Sequence, residues 1–196
     1  MTVRILTEQD AELIIDLMGA REDFLGVPEV FRDTFKKFAA ANVLDLLKTG
    51  GSMGRAFGLI NDETGELDGA IITLISNAQP CWFLNKAYTR PGSKLDTLAQ
   101  LFTYAIQFYE EMGYKRFYTM YKKDLLETYH RLWRTSTVLQ AYISYTDMII
   151  APTERPKHSD FWEYLMGRQI YQEPMVVRGF IRRDPETEMY IWGGTE

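Results

Sequence analysis

The period of apolar residues changes several times along the chain, and each change predicts an element. Val3 to Leu6 form a short β-prone run, and Thr7 and Asp10 then have the spacing of a capping box. The apolar stripe that follows, Ala11, Ile14, Ile15, Leu17 and Met18, predicts a helix with one face toward a core. Pro28 suits the first turn of a second helix, with Val30, Phe31, Thr34, Phe35 and Phe38 on one face. A third helical piece, Val43 to Leu47, ends at Gly50 and Gly51.

From Met53 the period shortens to that of a strand, which runs to about Ile60. Asn61-Asp62-Glu63-Thr64-Gly65 is a turn-forming cluster, so the next run, Leu67 to Ser76, is the second arm of a hairpin. Its nearly continuous apolar stretch, Ala70 to Ile75, is what a strand buried on both faces needs. Cys81 to Tyr88 reads as a third antiparallel strand. Arg90-Pro91-Gly92-Ser93 breaks it and leads into the longest helical pattern, Lys94 to Met112, with Leu95, Leu98, Leu101, Phe102, Ala105 and Tyr109 at helical spacing. Lys115 to Tyr121 is a strand, Leu125 to Arg134 a helix, Gln140 to Ile150 a long strand, Asp160 to Met166 a short helix and Met175 to Arg182 a last strand. The order β-α-β-α-β implies parallel pairing somewhere in the sheet. The expected fold is a mixed α/β (α+β type) single domain over residues 1–196, with helices on both faces and residues 152–196 an elaboration of the same domain.

Composition narrows the chemistry. With 46% hydrophobic and 25% charged residues, the 196-residue chain has the balance of an ordinary globular protein. A net charge of −5 gives no general attraction to a polyanion, so no nucleic-acid partner is expected. Alternation on a strand and a helix face explains the aromatics and cations crowded between Phe117 and Tyr145 as well as a stacking platform does, and the negative charge favours alternation. One cysteine, Cys81, excludes an intramolecular disulfide, and the two histidines, His130 and His158, have no metal-ligand spacing around them, so no metal is expected. The N-terminus carries no signal-like or membrane-spanning run, which points to the cytoplasm and to no membrane.

Three passages carry a resemblance to a known family: Val3 to Asp10, the Gly65-Glu66-Leu67-Asp68-Gly69-Ala70 entry to the central meander strand, and Tyr88 through Tyr121. Together with the element order, they resemble the GNAT superfamily of acyl-CoA-dependent N-acetyltransferases over nearly the whole chain. The resemblance implies acetyl-CoA as co-substrate and an amine acceptor, either a small molecule or a protein. It also implies that the loop before the long helix holds the pyrophosphate, where glycines allow close approach and a helix start offers free N–H donors.

That loop here is Arg90-Pro91-Gly92-Ser93-Lys94-Leu95. Arg90 takes the Gln/Arg position of the family pattern Gln/Arg-x-x-Gly-x-Gly/Ala, while Ser93 and Leu95 stand where the two small residues are expected. Asp96 follows in the first helical turn. Two readings stay open: Arg90 and Lys94 help to hold an anion, or Ser93 and Asp96 form a capping box that only starts a helix.

The resemblance also implies catalytic roles. Tyr129 is the candidate acid for the departing thiolate, because Trp133 stands where the family's tyrosine would be and cannot supply a proton. His130 is the candidate base. Asn85 is a candidate to orient substrate or water, and backbone N–H groups at Ala87 and Tyr88 are candidates for the oxyanion site. Glu22 and Asp23 lie where such proteins place acceptor-binding groups. The alternative function is a catalytically degenerate GNAT-like structural or interaction protein. Tyr190, Ile191 and Trp192 suit either a cover for the core or an interface such as that of a homodimer.

Overall fold

A buried carboxylate fixes the way the chain enters its first helix. Asp10 accepts a hydrogen bond from the Thr7 N–H at 2.8 Å and is gripped by the Arg4 guanidinium, with Nη1 at 2.9 Å. Strand β1 (Thr2–Ile5) is thereby tied to helix α1 (Ala11–Ala20). The computed structural model describes residues 1–20, 29–76, 81–93, 95–135, 138–150, 175–183 and 190–191. Ile14, Leu17 and Met18 of α1 are buried, whereas Ile15 is 52% exposed and so stands off the core stripe.

The second and third predicted helical pieces are one helix, α2 (Glu29–Leu47). Its middle, Ala39-Ala40-Ala41, is made of the best helix former and holds no breaker, so nothing ends the helix before Val43. The buried face is Ala39, Ala40, Val43, Leu46 and Leu47; Phe31 and Phe35 pack at its margin, and Val30 is exposed.

Strands β2 (Gly54–Ile60), β3 (Leu67–Ile75) and β4 (Cys81–Thr89) form the antiparallel meander. Helix α3 (Leu95–Glu111), β5 (Arg116–Lys122), helix α4 (Leu126–Thr135), β6 (Tyr142–Ile150), β7 (Met175–Arg183) and the short β8 (Tyr190–Ile191) follow. Among the described residues the sheet order is β1-β2-β3-β4-β5-β7-β6, with β8 on β7. The implied parallel pair is β4–β5, and β7 enters between β5 and β6, antiparallel to both. The helix expected over Asp160 to Met166 lies outside the described residues.

Helices α1 and α2 cover one face of the meander, through Ala56, Leu67, Ala70 and Ile72. Helices α3 and α4 cover the other face of the sheet. There, a column of near-parallel rings crosses three neighbouring strands: Trp82 stacks on Tyr109 at 4.8 Å and on Phe117 at 4.6 Å, and Phe117 stacks on Phe180 at 4.7 Å. Phe117 and Tyr121, read above as members of an aromatic alternation, are core residues of this face. The Tyr109 hydroxyl shares a 2.6 Å hydrogen bond with Thr73. At the end of α3, Glu110 accepts from Tyr142 and pairs with Arg182, each at 2.7 Å, which fastens the helix to β6 and β7.

Two stability measurements follow from these contacts. Trp82→Ala removes the centre of the ring column and is expected to cost about 3–5 kcal/mol in urea unfolding. The Arg4 guanidinium, ahead of the Thr7 N–H, holds the Asp10 carboxyl below its ordinary pKa. A lowered carboxyl pKa gives stability that is complete above the unfolded value, about 3.9, and is lost as pH falls through the folded one. Asp10→Asn is therefore expected to flatten the fall in melting temperature between neutral pH and about pH 3.

Candidate functional site

The parallel pairing of β4 with β5 runs from Cys81↔Arg116 to Leu84↔Thr119 and then stops. Both strands continue, β4 to Thr89 and β5 to Lys122. The cause lies on the other edge of β4. Thr73 of β3 faces Leu84 and Ile72 faces Lys86, so Asn85 is an extra residue in a bulge. A bulge bends its strand and sharpens the local twist, which turns β4 away from β5. In residues 85–89, every second residue then aims its N–H and C=O into a gap that no strand among the described residues fills.

The two sides of this gap differ. Helices α3 and α4 close one face. On the other, Phe83 and Met120 are 38% and 47% exposed, the Phe83 ring stacks on Tyr118 at 5.5 Å, and Asn85 is exposed. Ala87 packs toward the α3 side, and Tyr88 toward the cluster under α1 and α2.

The start of α3 lies at the end of β4, seated by two glycines. Gly92 has φ +81°, a left-handed conformation that side-chain-bearing residues rarely adopt. Gly69 lets the helix touch β3: a Cβ there would lie 2.9 Å from Thr97 Cγ2 and 3.0 Å from the Tyr88 carbonyl oxygen. Arg90, expected to face an anion, is engaged by the protein itself: its Nη2 reaches Asp16 of α1 at 2.6 Å and its Nε donates to the Leu67 carbonyl at 3.0 Å. The Ser93–Asp96 capping box, one of the two readings left open by the sequence, does not form. The Ser93 hydroxyl donates to the Asp68 carbonyl at 3.0 Å, and Asp96 accepts from Gln100 at 2.6 Å one turn along the helix. The first N–H groups of α3 thus keep no side-chain cap from Ser93. Lys94 lies outside the described residues, as do the side chain of Leu95 and residues Glu22, Asp23 and His158.

On the covered face, Tyr129 of α4 stacks on Tyr121 of β5 at 4.6 Å, and burial raises its pKa, so the phenol keeps its proton. His130 sits 6.0 Å from Trp133, whose ring lies under the Arg178 guanidinium at 4.8 Å. The structure thus brings Asn85, Ala87 and Tyr88 to one arm of the gap and Tyr129 to the other, with His130 beside Tyr129 on the helix.

Sequence reasoning missed Thr119. Among the described residues its hydroxyl is buried without a hydrogen-bond partner at the last β4–β5 rung, and the Trp133 Nε1 is likewise buried and finds none. The signal was a polar residue at a core position of the alternation Phe117-x-Thr119-x-Tyr121. Among the described residues, no group of three or more His, Cys, Asp or Glu could hold a metal ion.

Solved structures with this architecture are numerous. A GNAT-family protein from Desulfovibrio desulfuricans superposes with a TM-score of 0.59 at 10% identity, over 92% of this chain and 98% of its own. The PaiA N-acetyltransferase of Thermoplasma acidophilum, solved with coenzyme A, gives 0.57 at 14% identity over 90% and 98%. The fold is the GNAT fold. Spermidine N-acetyltransferase SpeG of Vibrio cholerae, solved as a mutant, shares it at a TM-score of 0.55 and 11% identity, over 92% and 95%. No protein-family model matches the sequence, and no curated protein matches it. At these identities the GNAT likeness rests on backbone geometry alone.

Because α3 lies directly on Gly69, Gly69→Val is expected to lower stability by about 1–3 kcal/mol in chemical denaturation. Thr97 and the backbone of Tyr88 must both give way.

Proposed function

We propose that the chain is an acyl-CoA-dependent N-acyltransferase that moves an acetyl group from acetyl-CoA to an amine, on a small molecule or a protein, in the cytoplasm. The observation that carries this reading is the early end of the β4–β5 pairing at Leu84↔Thr119, beneath the start of α3. A gap edged by peptide groups that lie beyond the β4–β5 ladder suits a donor whose own chain contains amides. The backbone from Asn85 to Thr89, including Ala87 and Tyr88, would hold that chain, and the α3 start with Gly92, Ser93, Lys94 and Leu95 would hold its phosphates. A bound thioester supplies the activated acyl group. No helix among the described residues is long and apolar enough to cross a membrane.

The chain's own groups supply the rest. Transfer forms a C–N bond and breaks a C–S bond. Tyr129, kept protonated by burial, gives its proton to the departing sulfur. His130 collects the amine's proton through solvent and returns one to Tyr129. Asn85, exposed at the bulge, orients the amine. Thr119 offers a hydroxyl at the vertex of the split, without a hydrogen-bond partner among the described residues.

A second reading, a degenerate GNAT-like interaction protein, is favoured by two features of the α3 start. Arg90 is held by Asp16, and the Asp96 carboxylate stands in the first turn, where its charge opposes a pyrophosphate. Calorimetric titration with acetyl-CoA separates the readings: saturable binding supports the transferase, and no response at millimolar acetyl-CoA leaves the interaction protein. In a thiol-release assay over a panel of amines, Tyr129→Phe is expected to lower kcat about 100-fold without changing acetyl-CoA affinity. Asp16→Asn, which releases Arg90 toward the helix start, is expected to tighten acetyl-CoA binding a few-fold, roughly what one exposed ion pair is worth.

A further inference from the structure

Lys86 follows the bulge on β4 and stands directly opposite Ile72 of β3. Ile72 belongs to the cluster on the α1/α2 side of the sheet, so Lys86 points to that same face, the one left open at the split. Toward β5 the strand pairing has already ended at Leu84, so that edge of Lys86 borders the gap. The side chain is half-buried, and burial alone lowers its pKa. Among the described residues its ammonium makes no hydrogen bond or ion pair. Asp16, the acid of α1 that bonds across to the β4–α3 loop, is taken by Arg90.

A cation that has lost part of its water and gained no counter-ion is unfavourable, and an anion delivered by a ligand would offset that cost. The position selects the ligand. With α3 and α4 over the opposite face, an acceptor amine reaches the split from the Lys86 side. We propose that Lys86 binds an anionic group of the acceptor, which makes the acceptor a small amine that also bears a carboxylate, of the amino-acid class, rather than a polycation. This rests on the transferase reading for the word acceptor, but the anion site is measurable by itself.

The test compares an N-acetyl amino acid with its uncharged C-terminal amide, by calorimetry on the full chain with and without coenzyme A. Wild type is expected to bind the carboxylate about tenfold more tightly or better, as for a charge-assisted hydrogen bond. Lys86→Met is expected to erase that preference, Lys86→Arg to keep it, and spermidine is expected not to compete. Equal affinity for the two forms in wild type, no binding of either, or a preference that survives in Lys86→Met overturns the proposal and leaves Lys86 as a stem lying over apolar surface. The wild-type comparison stands even if a variant fails to fold. Acetyl-CoA titration reads the transferase separately: a chain that ignores acetyl-CoA yet prefers the carboxylate sinks the transferase and keeps the Lys86 site, and the converse pattern does the opposite.

Discussion

The ring column formed by Tyr109, Trp82, Phe117 and Phe180 closes the lower half of the sheet, and the open upper half depends on it. Its successive interplanar angles are 16°, 16° and 10°, so the rings lie almost flat on one another across α3, β4, β5 and β7. The parallel ladder between β4 and β5 is only four pairs long, and parallel pairing is the weaker kind per residue. Burying rings of this size adds far more than those few hydrogen bonds. With the strands clamped at Trp82 and Phe117, the bulge at Asn85 can bend β4 away without unzipping the sheet.

The same contrast governs the polar groups around the gap. Where β4 and β5 are paired, their facing peptide groups satisfy one another; above Leu84 and Thr119 the facing edges do not pair with each other, and the Thr119 hydroxyl, without a partner among the described residues, lies at the boundary. The start of α3 is brought to this boundary by contact with Gly69 and by the clip from Arg90 to Leu67 and Asp16. The ionic half of that clip is modest. Asp16 is 54% exposed, and an exposed ion pair is worth roughly 0–1 kcal/mol, so a ligand phosphate can compete with it for Arg90. The bond from Arg90 Nε to the Leu67 carbonyl leaves the loop anchored in either state.

Much of the fold was legible because periodicity is local. The strands of the meander, α3, β5, α4, β6 and β7 lie within a residue or two of the runs that predict them. The errors have local causes too. Val43 to Leu47 looked separate from the second helix only because the alanines before it carry no apolar stripe, and Ile15 was placed on a core face that Ile14, Leu17 and Met18 already fill. Among candidate site residues, Asn85, Ala87, Tyr88 and Tyr129 were proposed through the family pattern, whereas Thr119 and Lys86 were passed over as ordinary strand positions.

The sequence by itself determined the elements, their order, and the glycine-bearing turn before α3, because each is set by neighbours a few residues apart. Tertiary structure alone decided that β7 lies between β5 and β6, that Asn85 is the unpaired residue of β4, and that Arg90 and Ser93 spend their bonds on Asp16, Leu67 and Asp68. Those outcomes depend on which distant segment comes to lie alongside. A bulge exists only relative to a partner strand, and a donor is free or engaged only once the acceptors around it are in place.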